Sequence, residues 1–202
     1  MPRKNRGYKR GEPHRDATLF VIACEGLVRE KEYFEHLARY SSHIRVKVLE
    51  NKDNNSAPRW LLDSAARFAG EIQLINDDQL WFVMDVDQWP DAQLRAIHLA
   101  CEEKSNWFMA VSNPCFEVWL YMHVDDIGNT VSNDCRELKA ELPYKMKGGY
   151  NVVRFIPLIR EAHRRSLALD TNPGHFIPEH MRSKMHLLTT ELFSIIGANS
   201  GI

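Results

Sequence analysis

Four short apolar runs punctuate the first 113 residues, and the stretches between them repeat their apolar positions at helical spacing. The runs ATLFVIAC (17–24), LWFVM (80–84) and WFMAVS (107–112) are almost continuously apolar, the pattern of strands covered on both faces. RVKVLE (45–50) alternates polar and apolar positions and suits an edge strand. A helix over about 29–40 would bury Tyr33, Phe34, Leu37 and Ala38. A second, over about 57–70, has Ser56 as N-cap, Pro58 in its first turn and a stripe of Leu61, Ala65, Phe68 and Ala69. A third follows QWPDAQ, with Pro90 in its first turn and Leu94, Ile97 and Cys101 inward. This order predicts an α/β fold over residues 16–123: a mostly parallel four-stranded sheet with flanking helices. Beyond residue 113 strand signals fade. Helical patterns remain over about 115–123, 151–169 and 183–196, and Pro157 delays the start of the middle one. The stretch 124–150 reads as a polar, turn-rich connection, so residues 124–202 are expected to form a helical C-terminal extension packed on the core.

Charge adds a third segment. The chain of 202 residues carries a net charge of −1, but residues 1–15 hold six Lys/Arg against Glu12, a local +5 that leaves −6 for the rest. Such an arm cannot bury itself and is expected to be flexible when free. It either binds nucleic acid electrostatically or solubilises the chain. A second basic stretch, 139–165, has seven Lys/Arg and two acids. The four cysteines, Cys24, Cys101, Cys115 and Cys135, form no C-x-x-C pair and sit in or beside apolar stretches; they read as buried reduced thiols of a cytoplasmic protein. No apolar run is long enough to span a membrane, and no secretory h-region follows the basic arm.

Acids stand where two buried strands stop. Glu25 follows the first run, and Asp85 and Asp87 follow LWFVM. Residues two apart on an extended chain point the same way, and ligands of open α/β sheets bind beyond the carboxyl ends of the strands. Converging carboxylates repel one another unless a cation joins them, and a hard ion, Mg²⁺ or Mn²⁺, fits an all-oxygen set. Metal-assisted attack on a phosphodiester is the chemistry such a site offers. Against this, Asp is common in caps and turns after strands.

The E-G … D-x-D arrangement resembles the Toprim fold of topoisomerases, primases and OLD-type nucleases, in which such acids hold a divalent metal. CEGLVREKEYF (24–34) and SNPCFEVWLYMH (112–123) are similar to the C-E-G-x-x-T-E-x-x-Y-F and S-N-P-x-F-E-x-W-L signatures of the RloB-like (AbiLii-like) family. Tyr144–Lys145, the C-terminal RSKMHLLTTEL and the basic arm fall where that family has comparable features. The resemblance implies a metal-dependent nuclease with Glu25, Asp85 and Asp87 as ligands and Glu117 and Lys145 assisting. It further implies an effector of anti-phage defence by abortive infection, acting with an ATPase encoded nearby on DNA or RNA, tRNA among the candidates. Arg29 departs from the pattern, standing where the family has threonine; it either weakens a cap or a metal-water contact or holds a phosphate.

The remaining residues carry two readings each. Phe116, Trp119 and Leu120 repeat at core spacing, Ser112 or Asn113 suits a helix cap, and Pro114 suits the first turn of that helix. Asn113 is also a candidate substrate contact. Glu117 is a metal ligand or base, or a helix-start carboxylate favoured by the macrodipole. Lys145 either neutralises charge on a phosphate or belongs to a solvated loop. Lys147, Arg160 and Arg164 either track a nucleic-acid backbone or form a solvated face. His175, His180 and His186 do not match a zinc spacing, and no P-loop motif is present. The alternative to a nuclease is a non-catalytic nucleic-acid- or ATPase-binding subunit that uses the acids for a structural ion or a partner. A nucleotide phosphotransferase is a third reading, disfavoured by the basic arm.

Overall fold

The computed structural model describes residues 17–26, 28–49, 58–72, 74, 77–86 and 89–199; the basic arm, Ser56 and Asp87 lie outside them. Strands β1 (Thr18–Cys24), β2 (Ile44–Val48), β3 (Gln79–Asp85) and β4 (Trp107–Asn113) pair in parallel in the order β2-β1-β3-β4. The connections are helices α1 (Arg29–Leu37), α2 (Pro58–Glu71) and α3 (Asp91–Glu102). The alternating segment is the edge strand β2, as its pattern required. The sheet has five strands rather than four: β5 (Arg182–Ser183) pairs antiparallel with the outer side of β4, Ser112 opposite Ser183 and Asn113 opposite Arg182. Two residues are too few to produce a periodic signal.

Because successive side chains of a strand point to opposite faces, the near-continuous runs feed two cores. Phe20, Ile22, Trp81, Val83 and Ala110 pack with Tyr33, Phe34 and Leu37 of α1 and with the C-terminal helices. Val21, Ala23, Leu80, Phe82, Met84 and Val111 pack with Leu61 and Ala65 of α2 and Leu94, Ile97 and Cys101 of α3. Each fully buried Leu, Ile or Phe contributes about 1.5–3 kcal/mol from removal of apolar area from water, so loss of either helical layer would leave a sheet face wet.

The C-terminal part contains α4 (Glu117–Val124), α5 (Cys135–Lys145), α6 (Ile159–Ala168) and α7 (Met185–Asn199). Phe116, Trp119 and Leu120 are buried, as their spacing predicts. Two 3-10 turns, Val152–Arg154 and Ile156–Leu158, precede α6 and contain Pro157, which accounts for the late start. Helix α5 corrects the reading of 124–150 as a connection. Its apolar stripe is only Leu138 and Leu142, and Pro143 lies inside it. What starts it is a cap: the Asp134 carboxylate accepts the Glu137 N–H at 2.8 Å, while Glu137 accepts the Asn133 N–H at 2.9 Å. Among the described residues no helix is long and apolar enough to cross a membrane.

A cysteine pairing also corrects expectation. Cys115 and Cys135 form a disulfide with their Cα atoms 5.9 Å apart, leaving Cys24 and Cys101 as buried thiols. The partners are 20 residues apart in sequence. They meet because α4 and α5 lie side by side in the same direction, with contacts advancing from Glu117–Lys139 to Tyr121–Glu141 to Asp125–Lys145.

Candidate active site: carboxylates at the switch point of the sheet

Strand order reverses between β1 and β3, and the crevice beyond their carboxyl ends is where an open α/β sheet receives ligands. Glu25 directly follows β1, and Asp85 is the last residue of β3. The two strand ends are tied together: the Asp85 N–H donates to Glu25 Oε1 at 3.1 Å, and the indole N–H of Trp89 donates to Glu25 Oε2. On the other side, the Val86 N–H donates to the carbonyls of Ser112 and Pro114, each at 3.1 Å. This fixes the end of β3 to the turn that leads from β4 into α4.

The crevice is rich in negative charge. Burial, then the charges of Glu30 and Glu25, push the Asp85 carboxyl well above the ordinary carboxylate range, with Glu117 adding to the effect and the Phe116 N–H opposing it. Glu30 is raised in the same direction by burial and by Glu117, against its own backbone N–H and the cations Lys139 and Arg29. Burial and the charges of Glu30, Glu25 and Asp85 also raise the Cys24 thiol. Glu30 reaches this place from the first turn of α1, whose side chains lean back toward the helix start. Its carboxyl lies directly over Gly26, where an added Cβ would overlap it. The glycine of Glu25-Gly26 therefore supplies room for a second carboxylate, and no positive φ is involved.

Glu117, buried at the start of α4, faces two cations. Arg29 Nη1 donates to its Oε1 at 2.8 Å, and Lys139 Nζ lies 3.8 Å from the same atom. The Arg29 guanidinium also covers the Tyr150 ring at 4.8 Å from the centroid. Arg29 thus sits against Glu117 and Tyr150, and its side chain remains about one-third exposed.

Other residues singled out in the sequence go elsewhere. Lys145 Nζ donates to Asp125 at 2.9 Å and lies 3.5 Å from Glu141, about 12 Å along α4 from Glu117 at 1.5 Å per residue, so the structure does not bring it to the acids. Asn113 Nδ2 donates to the Pro178 carbonyl at 2.9 Å, and Ser112 Oγ pairs with Ser183 Oγ at 2.9 Å. Neither caps α4, whose N-cap is Phe116, and Pro114 lies in the turn before that helix. Arg160 covers the Phe193 ring, Arg164 pairs with Glu161 on its own helix, and Lys147 is exposed beyond α5. His186 lies against Asp170, while His175 and His180 approach the carbonyls of Ile177 and Asn133. Glu30, Trp89 and Tyr150 were not singled out as site residues, nor was Lys139 apart from its basic stretch. For Glu30 a signal existed: an acid five residues after Glu25, in the opening turn of a predicted helix.

Among the described residues no three His, Cys, Asp or Glu side chains are grouped so as to hold a metal ion. The donors that do meet here are carboxylate oxygens with an excess of negative charge, a set whose chemistry fits a hard divalent cation.

No curated protein and no solved structure gives a significant match to the chain. A family model described as RloB-like protein matches residues 20–192. The chain belongs to the RloB-like protein family.

Proposed function

We propose that this RloB-like protein is a divalent-metal-dependent nuclease whose centre lies at the carboxyl ends of β1 and β3. The observation that carries the reading is geometric: Glu25 accepts the Asp85 N–H and the Glu30 carboxyl lies over Gly26, so that burial, then the charges of Glu30 and Glu25, push the Asp85 carboxyl up. A group of carboxylates kept close at such cost is the mark of a site built for a counter-charge. Glu25 and Asp85, with Asp87, would hold Mg²⁺ or Mn²⁺, which when bound supplies polarisation of a phosphoryl oxygen and activation of water. The Toprim resemblance of these acids supports the same assignment. Trp89 and the Asp85 N–H orient Glu25. Arg29 and Lys139, beside Glu117, are placed to receive phosphate oxygens of a polymer backbone. Lys145, held by Asp125, secures α5 to α4 in this reading. The substrate is DNA or RNA, and the biological setting that family resemblance suggests is anti-phage defence beside an ATPase.

One observation favours a non-catalytic alternative: both Glu25 oxygens already accept hydrogen bonds, and Glu117 is ion-paired. In that reading the acids serve a structural ion or the basic surface of a partner. The discriminating experiment incubates labelled DNA and total RNA with the full chain in Mn²⁺, Mg²⁺ or chelator, alone and with the ATPase. Wild type and Asp85→Ala/Asp87→Ala are compared. Cleavage that needs the metal and disappears in the variant establishes the nuclease, and the polymer consumed identifies the substrate. Cleavage absent under every condition, with nucleic-acid binding retained by both proteins, sinks it in favour of the alternative.

A further inference from the structure

We propose that the Cys115–Cys135 disulfide is a thiol–disulfide exchange site, a clasp that holds the start of α5 to the turn before α4 and thereby fixes Lys139 against the Glu117 carboxylate. Cys115 stands between Pro114, whose carbonyl accepts the Val86 N–H next to Asp85, and Phe116–Glu117 at the entry to α4. Cys135 is the first residue of α5, and Lys139 follows one turn later, 3.8 Å from Glu117. The other polar anchors of α5 to α4, Glu141 to the Tyr121 hydroxyl at 3.1 Å and Lys145 to Asp125 at 2.9 Å, lie toward its C-terminal end. Toward its start α5 is held by the clasp together with the buried Leu138 and the Lys139–Glu117 pair, so the clasp bears on the first turns more than on the last.

The pair is also asymmetric in access. Cys115 is 1% exposed, whereas Cys135 is only half-buried. An incoming thiolate thus meets Cys135 first, and a helix start favours negative charge on sulfur. A dithiol reductant attacks Cys135 Sγ, and the Cys115–Cys135 bond breaks. Its electron pair leaves on Cys115 Sγ, which takes a proton. The second thiolate of the reductant then attacks the reductant sulfur of the mixed disulfide, and Cys135 departs and is protonated. Two electrons and two protons pass to the protein, and the reductant ends as a disulfide. Cys24 and Cys101 take no part: both are buried, and burial pushes Cys101 up to about 12.

The consequence for cleavage, weaker engagement of the substrate backbone once Lys139 is released, rests on the nuclease reading. The clasp does not. The test equilibrates the full chain in dithiothreitol buffers from oxidised to reduced, then quenches in acid, unfolds and alkylates it. In parallel, amide hydrogen exchange is followed along α5. Two alkylated cysteines are expected in the oxidised chain and four in the reduced one. Exchange over 136–140 should rise at least ~10-fold on reduction while 142–145 changes little. Cys135→Ser should exchange fast over 136–140 in both buffers, and Cys101→Ser should respond as wild type does. Four alkylated cysteines at every poise, or a changed thiol count with unchanged exchange over 136–140, overturns the proposal. A clasp that responds as expected in a protein that cuts nothing would count against the nuclease alone.

Discussion

Two clusters of buried charge lie against the sheet, one beside β5 and one at the carboxyl ends of β1 and β3, and they obey opposite rules. Beside β5, Lys184 is 2% exposed and uses all three ammonium hydrogens, donating to Asp170 Oδ1 at 2.9 Å, Asp170 Oδ2 at 3.0 Å and the Asn172 carbonyl at 2.8 Å. His186 completes the shell of Asp170, with Nε2 3.2 Å from Oδ2. At the carboxyl ends of β1 and β3 the acids Glu25, Glu30, Asp85 and Glu117 raise one another's energy instead, and among the described residues Arg29 and Lys139 both go to Glu117. A buried charge that is fully matched holds a fold together, and removing one partner strands the other. A set of like charges raises its own energy and is relieved by anything that neutralises it. The Ser166–His186–Asp170 chain belongs with the first kind. Ser166 is buried and its hydroxyl donates to the Ser183 carbonyl at 2.6 Å, so it offers no nucleophile to a substrate.

The contrast can be broken most directly at Lys184. Lys184→Met should cost about 3–5 kcal/mol, because Asp170 is left buried without its cation; urea unfolding measures it. A loss below about 1 kcal/mol would show that the matched cluster contributes no more than a surface pair. The next largest effect is expected at the acids. Mn²⁺ at a hundred times its dissociation constant should stabilise wild type by about 2.7 kcal/mol. Asp85→Asn should abolish that gain without lowering stability in chelator, since the amide keeps an acceptor for the Phe116 N–H and removes a repelling charge. A variant that is both destabilised in chelator and still responsive to Mn²⁺ would place Asp85 with the matched kind.

A smaller effect sharpens what a matched buried group does with pH. His123 is sealed in the core, its Nδ1–H donating to the Trp119 carbonyl at 2.9 Å and its Nε2 accepting the Tyr33 hydroxyl at 3.1 Å. Burial lowers its pKa to about 3. The unfolded chain takes up the proton first, so this contribution is intact above about pH 6.5 and lost as pH falls toward about 3, by up to about 1.4 kcal/mol per pH unit. His123→Gln, with its amide in place of the ring, should flatten the stability profile between pH 6 and 5. His186, also lowered by burial, keeps part of the slope in that window. The smallest change is expected for Lys145→Met. The pair with Asp125 is partly exposed, and its loss should barely move the urea-unfolding midpoint and leave Mn²⁺ stabilisation unchanged. A Mn²⁺ response that falls with Lys145 would return that residue to the acid site.

The parallel layers were legible because strands buried on both faces write continuous apolar runs and their helices write regular stripes. Glu25 and Asp85 were legible for a related reason: a strand end is a position that local pattern can locate. Glu30 was harder, since its arrival over Gly26 depends on how the first turn of α1 leans. Helix α5 was missed because its stripe is only Leu138 and Leu142; its sequence signal is the cap, Asp134 with Glu137. The Cys115–Cys135 pair and the Arg29–Glu117–Lys139 contacts were out of reach, because they depend on α4 and α5 lying side by side. Lys145 shows the converse: a cation in a promising stretch of sequence finds its nearest acids on neighbouring helical turns.

The two residues of β5 have a consequence for how this protein can be divided. Their pairing covers the end of β4 that would otherwise offer open backbone donors and acceptors to another chain. A fragment ending at residue 123 would keep the strands that carry Glu25 and Asp85, yet would lose this cover and the helices that dry one sheet face. Such a fragment would self-associate rather than persist as a minimal folded unit. The C-terminal segment is therefore no exchangeable cassette: recombination that swaps it must supply both a new edge and a new wall.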